Sequence, residues 1–90
     1  MKEALKEPLD IDSASRAMEM ARIWIVDGKQ KVILSANLWR DPRAWGLMLV
    51  DLAKHVSLAY KDQGHDADEV MIRIKEAFDV EWQHSTTTLE

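Results

Sequence analysis

Between residues 17 and 39 two apolar, β-prone runs flank a polar break, and along each the side chains alternate between two faces as in an extended strand. AMEMARIWIV (17–26) precedes Asp27-Gly28-Lys29-Gln30, and KVILSANLW (31–39) follows it. Asp-Gly between two β-prone runs is a strong hairpin signal. The loop is either Asp27-Gly28 alone or all four residues. Both choices give the same two faces, since a shift of two preserves the alternation. One face collects Ala21, Ile23, Ile25, Val32, Leu34, Ala36 and Leu38 and is apolar enough to be core. The other collects Met20, Arg22, Trp24, Val26, Lys31, Ile33, Ser35 and Asn37 and is half wet.

Beyond Trp39 the period becomes helical. Arg40-Asp41-Pro42 reads as a helix start, because Asp41 can accept from first-turn amides and Pro42 loses no hydrogen bond at the first position. The helix should run from about 42 to 62, with Trp45, Met48, Leu49, Leu52, Ala53, Val56, Ala59 and Tyr60 on one stripe. Arg43, Lys54, Ser57 and Lys61 fall opposite, and Leu47, Val50 and Leu58 lie among the polar residues. Gly46 costs this helix about 1 kcal/mol relative to Ala and is expected to admit the close approach of another backbone. Gly64 ends the helix, and Asp66 with Glu69 caps a second, running to about residue 83. Its stripe is Ala67, Val70, Met71, Ile74, Ala77, Phe78 and Trp82.

The order ββαα predicts one α+β domain over residues 17–84, a long antiparallel β-hairpin followed by two helices packed on one face. Residues 1–16 hold seven charges and read as an N-terminal arm, in which Leu9 and Ile11 alternate with Asp10 and Asp12 in a manner compatible with a short edge strand. Residues 85–90 read as a disordered tail whose Leu89-Glu90 resembles a vector-derived junction.

Composition narrows the chemistry. The 90 residues carry 12 Lys+Arg against 16 Asp+Glu, a net charge of −4, and no cysteine. Disulfides, Cys-ligated zinc, iron–sulfur clusters and a thiol nucleophile are thereby excluded. No basic stripe suited to phosphates is present, so a nucleic-acid partner is not expected. The runs Ala21 to Val26 and Leu47 to Val50 fall far short of the roughly 18 apolar residues that cross a bilayer. The segment MKEALKEPLDID lacks the apolar core of a secretory signal, which points to the cytoplasm.

Strands of nine or ten residues with no proline would leave long bare edges. A homodimer is therefore expected, extending the sheet or covering Met20, Trp24 and Ile33, with Leu47 and Leu58 enlarging the contact.

Candidate chemistry is sparse. Asp51 and His55 are one helical turn apart, a spacing that lets a carboxylate orient an imidazole, yet no nucleophile or pocket is written beside them and a structural pairing explains them better. His65, Asp66, Asp68 and Glu69 form an acidic knot that helix capping explains better than a cation site. The histidines lack zinc spacing, so no metal is expected. Trp45 and Trp82 fall on apolar stripes and Trp39 closes a strand, which leaves Trp24, beside Arg22, as the fair candidate for ligand contact. The three glycines are too far apart for a phosphate loop, a dinucleotide fingerprint or a nucleophile elbow. No cofactor is expected and the balance falls against an enzyme. An interaction or assembly module is the leading reading; a small-ligand binder or weak enzyme using Arg22, Trp24, Asp51 and His55 is the alternative.

Trp24-Ile25-Val26-Asp27-Gly28, Trp39 with Asp41-Pro42, Trp45-Gly46, Asp51 with His55, and Phe78-Asp79 with Glu81 together resemble a small bacterial family known as a domain of unknown function, over about residues 19–82. The resemblance implies a stand-alone bacterial cytoplasmic protein and supports the segment boundaries. It assigns no activity, cofactor or functional residue.

Overall fold

The computed structural model describes residues 1–85, so the segment expected to form the tail lies, but for Ser85, outside the described residues. Its elements follow the predicted order: β1 (Ala21–Val26), β2 (Lys29–Leu34), α1 (Arg43–Asp62) and α2 (Ala67–Gln83). They fall in two compact units, one ending at Leu38 and the other beginning at Trp39.

In the first unit, the two-residue loop is the one adopted. Asp27 has φ 50° and Gly28 φ 80°, the paired positive values of a type I′ turn, whose twist matches that of the strands it joins. Gly28 reaches that region without a Cβ clash, and Asp is among the few other residues that visit it. The turn fixes an antiparallel register from Val26↔Lys29 to Ala21↔Leu34. One further rung follows, the Ser35 amide donating to the Met20 carbonyl at 2.9 Å.

The pairing places residues on the predicted faces, but the strands have six residues rather than nine or ten. The chain turns instead at Ser35, where the Leu38 amide reaches the Ser35 carbonyl at 3.2 Å, so Ala36 and Leu38 leave the ladder. Nor does the face read as core become one. Ile23 is 57% and Ile25 79% exposed, while Trp24 on the opposite face is partly covered. A two-stranded ribbon has no opposing layer of its own, and period-two patterning alone cannot supply one.

The arm also departs from expectation. Residues 9–13 form a turn rather than an edge strand, with the Ala14 amide and the Ser13 hydroxyl both donating to the Asp10 carbonyl, at 3.1 and 3.2 Å. Pro8, Asp10, Asp12 and Ser13 are turn formers, and their local bonds outweigh the alternation of Leu9 and Ile11.

In the second unit, the helix signals act as read. Pro42 is already helical (φ −60°, ψ −16°), and the Arg43 amide donates to Asp41 Oδ1 at 2.9 Å. Trp39, expected to close a strand, instead meets Trp45 edge to face, with ring centroids 5.0 Å apart. At the other end Gly64 (φ 97°) donates to the Lys61 carbonyl and His65 to that of Tyr60, the paired bonds of a Schellman stop. Asp66 Oδ1 accepts from the amides of Asp68 (2.9 Å) and Glu69 (3.1 Å), opening α2, which turns back against α1.

Two helix expectations are corrected. Ser57, assigned to the solvated side, is the buried residue among those described, at 4% exposure. It lies one turn from the partly covered Ala53, so two small side chains share the covered side of α1. Its hydroxyl is satisfied within α1 by the Lys54 carbonyl at 2.7 Å. Gly46 admits no close neighbour: a Cβ built there meets nothing within 4 Å.

Candidate functional site

Two surfaces hold the residues singled out from the sequence, one in each unit. On β1, Arg22 and Trp24 point to one face, opposite Ile33 and Lys31 respectively. Met20 precedes them on the same side and is partly covered, whereas Ile33 is 74% exposed. The Arg22 Nε donates to Glu19 Oε1 at 2.5 Å, with both side chains more than half exposed. Solvent screens such a pair, so it adds little stability, but it gives the guanidinium a resident carboxylate that an incoming anion must displace.

Along β1 runs an open groove of about 810 Å³. One wall is formed by five consecutive β1 residues, Ala21 to Ile25, and the other by the arm, notably Leu5, Lys6, Pro8 and Ile11. The strand supplies alternating apolar and polar side chains, and the turn at Asp10 brings the arm back beside it. Its charges are mixed, with Lys6 and Arg22 against Glu3, Glu7 and Glu19, so the groove favours no single sign of ligand. Sequence reasoning missed the arm's part in this groove. The signal for it was the run of turn formers from Pro8 to Ser13.

On α1, Asp51 and His55 lie one turn apart and both are exposed. Among the described residues no hydrogen bond joins them. At 100° per residue, Leu47, Asp51, His55 and Leu58 fall within one narrow strip of this regular helix. The helix thus brings together two sets that were singled out for different reasons. Leu47 is 74% and Leu58 53% exposed. An exposed carboxylate and imidazole thus stand between bare leucines on the surface of α1.

In the knot at the start of α2, the Asp66 carboxylate is occupied by backbone amides, and the His65 ring lies edge-on to Tyr60 with centroids 5.4 Å apart. Capping and ring packing account for both. Further along, Phe78 and Trp82 stack at 5.6 Å on an exposed side of α2. Among the described residues no helix is long and apolar enough to cross a membrane.

The model of a family described as "Domain of unknown function (DUF5076)" matches residues 4–86. The chain is also similar to a solved structure described as "a putative pyruvate dehydrogenase from the photosynthetic bacterium Rhodopseudomonas palustrus CGA009". Identity is 30% and the TM-score 0.73, over 100% of this chain and 95% of that one. No curated protein matches.

Proposed function

We propose, from the premise that the chain belongs to the domain-of-unknown-function family matched over residues 4–86, that it is a small cytoplasmic interaction or assembly module working as a homodimer. One observation carries this reading: among the described residues no large apolar side chain is buried. Ile25 and Ile33 on the ribbon are 79% and 74% exposed, and Leu47 and Leu58 on α1 are 74% and 53% exposed. Fully covering a side chain of this size is worth about 1.5–3 kcal/mol, and a twofold contact counts each one twice. Exposed large apolar side chains in this number favour association.

Sedimentation equilibrium from low micromolar to near-millimolar protein tests the reading. A mass of twice 10.4 kDa, falling on dilution, is expected, and a monomer at the highest concentration overturns it. Carrying Leu47→Glu and Leu58→Glu together should shift the curve towards monomer while preserving the helical circular dichroism.

A second reading, a small-ligand binder or weak enzyme, is favoured on the ribbon alone, by the groove beside Arg22 and Trp24; Asp51 and His55 lie in the other unit and do not line it. Pyruvate, named in the description of the similar structure, is the first probe. A saturable change in tryptophan fluorescence, abolished by Arg22→Ala, supports this reading, and no change at millimolar pyruvate removes pyruvate as its ligand.

A further inference from the structure

We infer that two copies of this chain join through the outer edge of β2, strand against antiparallel strand about a twofold axis at Val32, making a four-stranded sheet. The inference rests on the homodimer reading and specifies the part of its surface that the ribbon supplies. It begins with the hydrogen-bond phase of the hairpin. The Ser35 amide points inward to Met20, and in an antiparallel ladder the N–H and C=O of one residue point the same way, alternating along the strand. Ile33 and Lys31 therefore also bond inward to β1, while Gln30, Val32 and Leu34 turn their N–H and C=O outward. Among the described residues nothing bonds to those outward groups.

The outer edge of β1 is differently placed. Its residues Ala21 to Ile25 wall the groove whose other side is the chain's own arm, and among the described residues β2 contributes nothing to that groove. On β2 all six residues are exposed and none is proline.

Register then selects the axis. With Val32 on the twofold, Gln30 faces Leu34 of the partner subunit and Val32 faces Val32 of the partner subunit, so all three outward residues of each copy exchange both backbone bonds. Lys31 then faces Ile33 of the partner subunit, and Lys29 faces Ser35 of the partner subunit. Moving the axis to Lys31 sets like charges directly opposite and leaves Leu34 unpaired; moving it to Ile33 leaves Gln30 unpaired. The Val32 register also continues one apolar surface across the joint, since Ile23, Val32 and Leu34 share a face and are 57%, 48% and 49% exposed. Lys29 and Lys31 are the residue type that often guards an edge against pairing. In this register they meet neutral partners, so the guard acts against the wrong registers and permits this one.

Amide hydrogen exchange by NMR reads the proposal directly. In a sample whose sedimentation mass is dimeric, the Val32 and Leu34 amides should exchange roughly tenfold or more slowly than in a dilute sample, while Lys31 and Ile33 stay equally protected in both. Outward amides that exchange freely in a dimeric sample overturn the β2 joint and leave the homodimer reading standing. A sample that stays monomeric overturns both. Val32→Lys puts two like charges on the axis without touching a bond of the hairpin, so it should raise the dimer dissociation constant roughly tenfold with Lys31 and Ile33 still protected. An unchanged constant refutes the register.

Discussion

Replacing Gly46 with alanine tests how open the surface of α1 is. Gly46 is the fourth residue of a helix that starts at Arg43. A methyl group there meets no atom within 4 Å, so the substitution brings neither a clash nor a new contact. What remains is the backbone term: glycine is about 0.8–1.0 kcal/mol worse than alanine inside a helix, and freezing its larger unfolded freedom accounts for most of it. Because Gly46 lies in the first turn, where helix ends fray, the gain can fall below that range, to about 0.5–1 kcal/mol. Urea unfolding followed by far-UV circular dichroism should show a higher midpoint at unchanged slope, and a melting temperature raised by about 2–8 °C. A variant less stable than the parent would refute the reasoning. A backbone would then be seated against Gly46, as its place in the sequence first suggested.

Three further substitutions probe other elements. Asp66→Ala leaves the Asp68 and Glu69 amides without their carboxylate and should cost about 1 kcal/mol in the same urea assay. Ser57→Leu overfills this buried position and should cost about 1–3 kcal/mol, whereas Ser57→Ala should be nearly neutral because the hydroxyl serves only its own helix. Lys75 donates to Asp79 Oδ2 at 2.6 Å, and that hydrogen bond, then the carboxylate's charge, raises its proton affinity above the ordinary 10.5. A raised folded-state value stabilises the protein below the ordinary pKa, and that contribution is lost as pH climbs through the raised one. NMR titration of the Lys75 side chain should show the elevation, and Asp79→Asn should remove it.

The parts of the fold that could be read in the sequence are those set by a few neighbouring residues. Asp27-Gly28, Asp41-Pro42, Gly64 and Asp66 each act through bonds spanning no more than five positions, and each sits where it was placed. Strand length was not legible, because Ala36, Leu38 and Trp39 continue an apolar pattern after the turn at Ser35 has taken them out of the ladder. Ser57 misled for a related reason. A helical wheel ranks side chains by polarity, while the close approach of two helices selects for small size, and serine scores oppositely on the two scales. The arm's turn was hidden by the alternation of Leu9 and Ile11. Of the candidate site, the one-turn spacing of Asp51 and His55 was legible, whereas their sharing a strip with Leu47 and Leu58 was not read. The groove was not legible, because it depends on where the turn at Asp10 directs residues 3–8.

Each unit is built by doubling one element back on the next, β1 on β2 through two residues and α1 on α2 through four. Chain closure over such short spans takes nanoseconds to microseconds, and no distant segment has to arrive first. The two halves can therefore take shape early, even while the rest of the polypeptide is leaving the ribosome. If the proposed homodimer forms, the slow, concentration-dependent stage of maturation is the meeting of subunits, and cellular abundance, more than folding speed, sets how quickly the assembly accumulates.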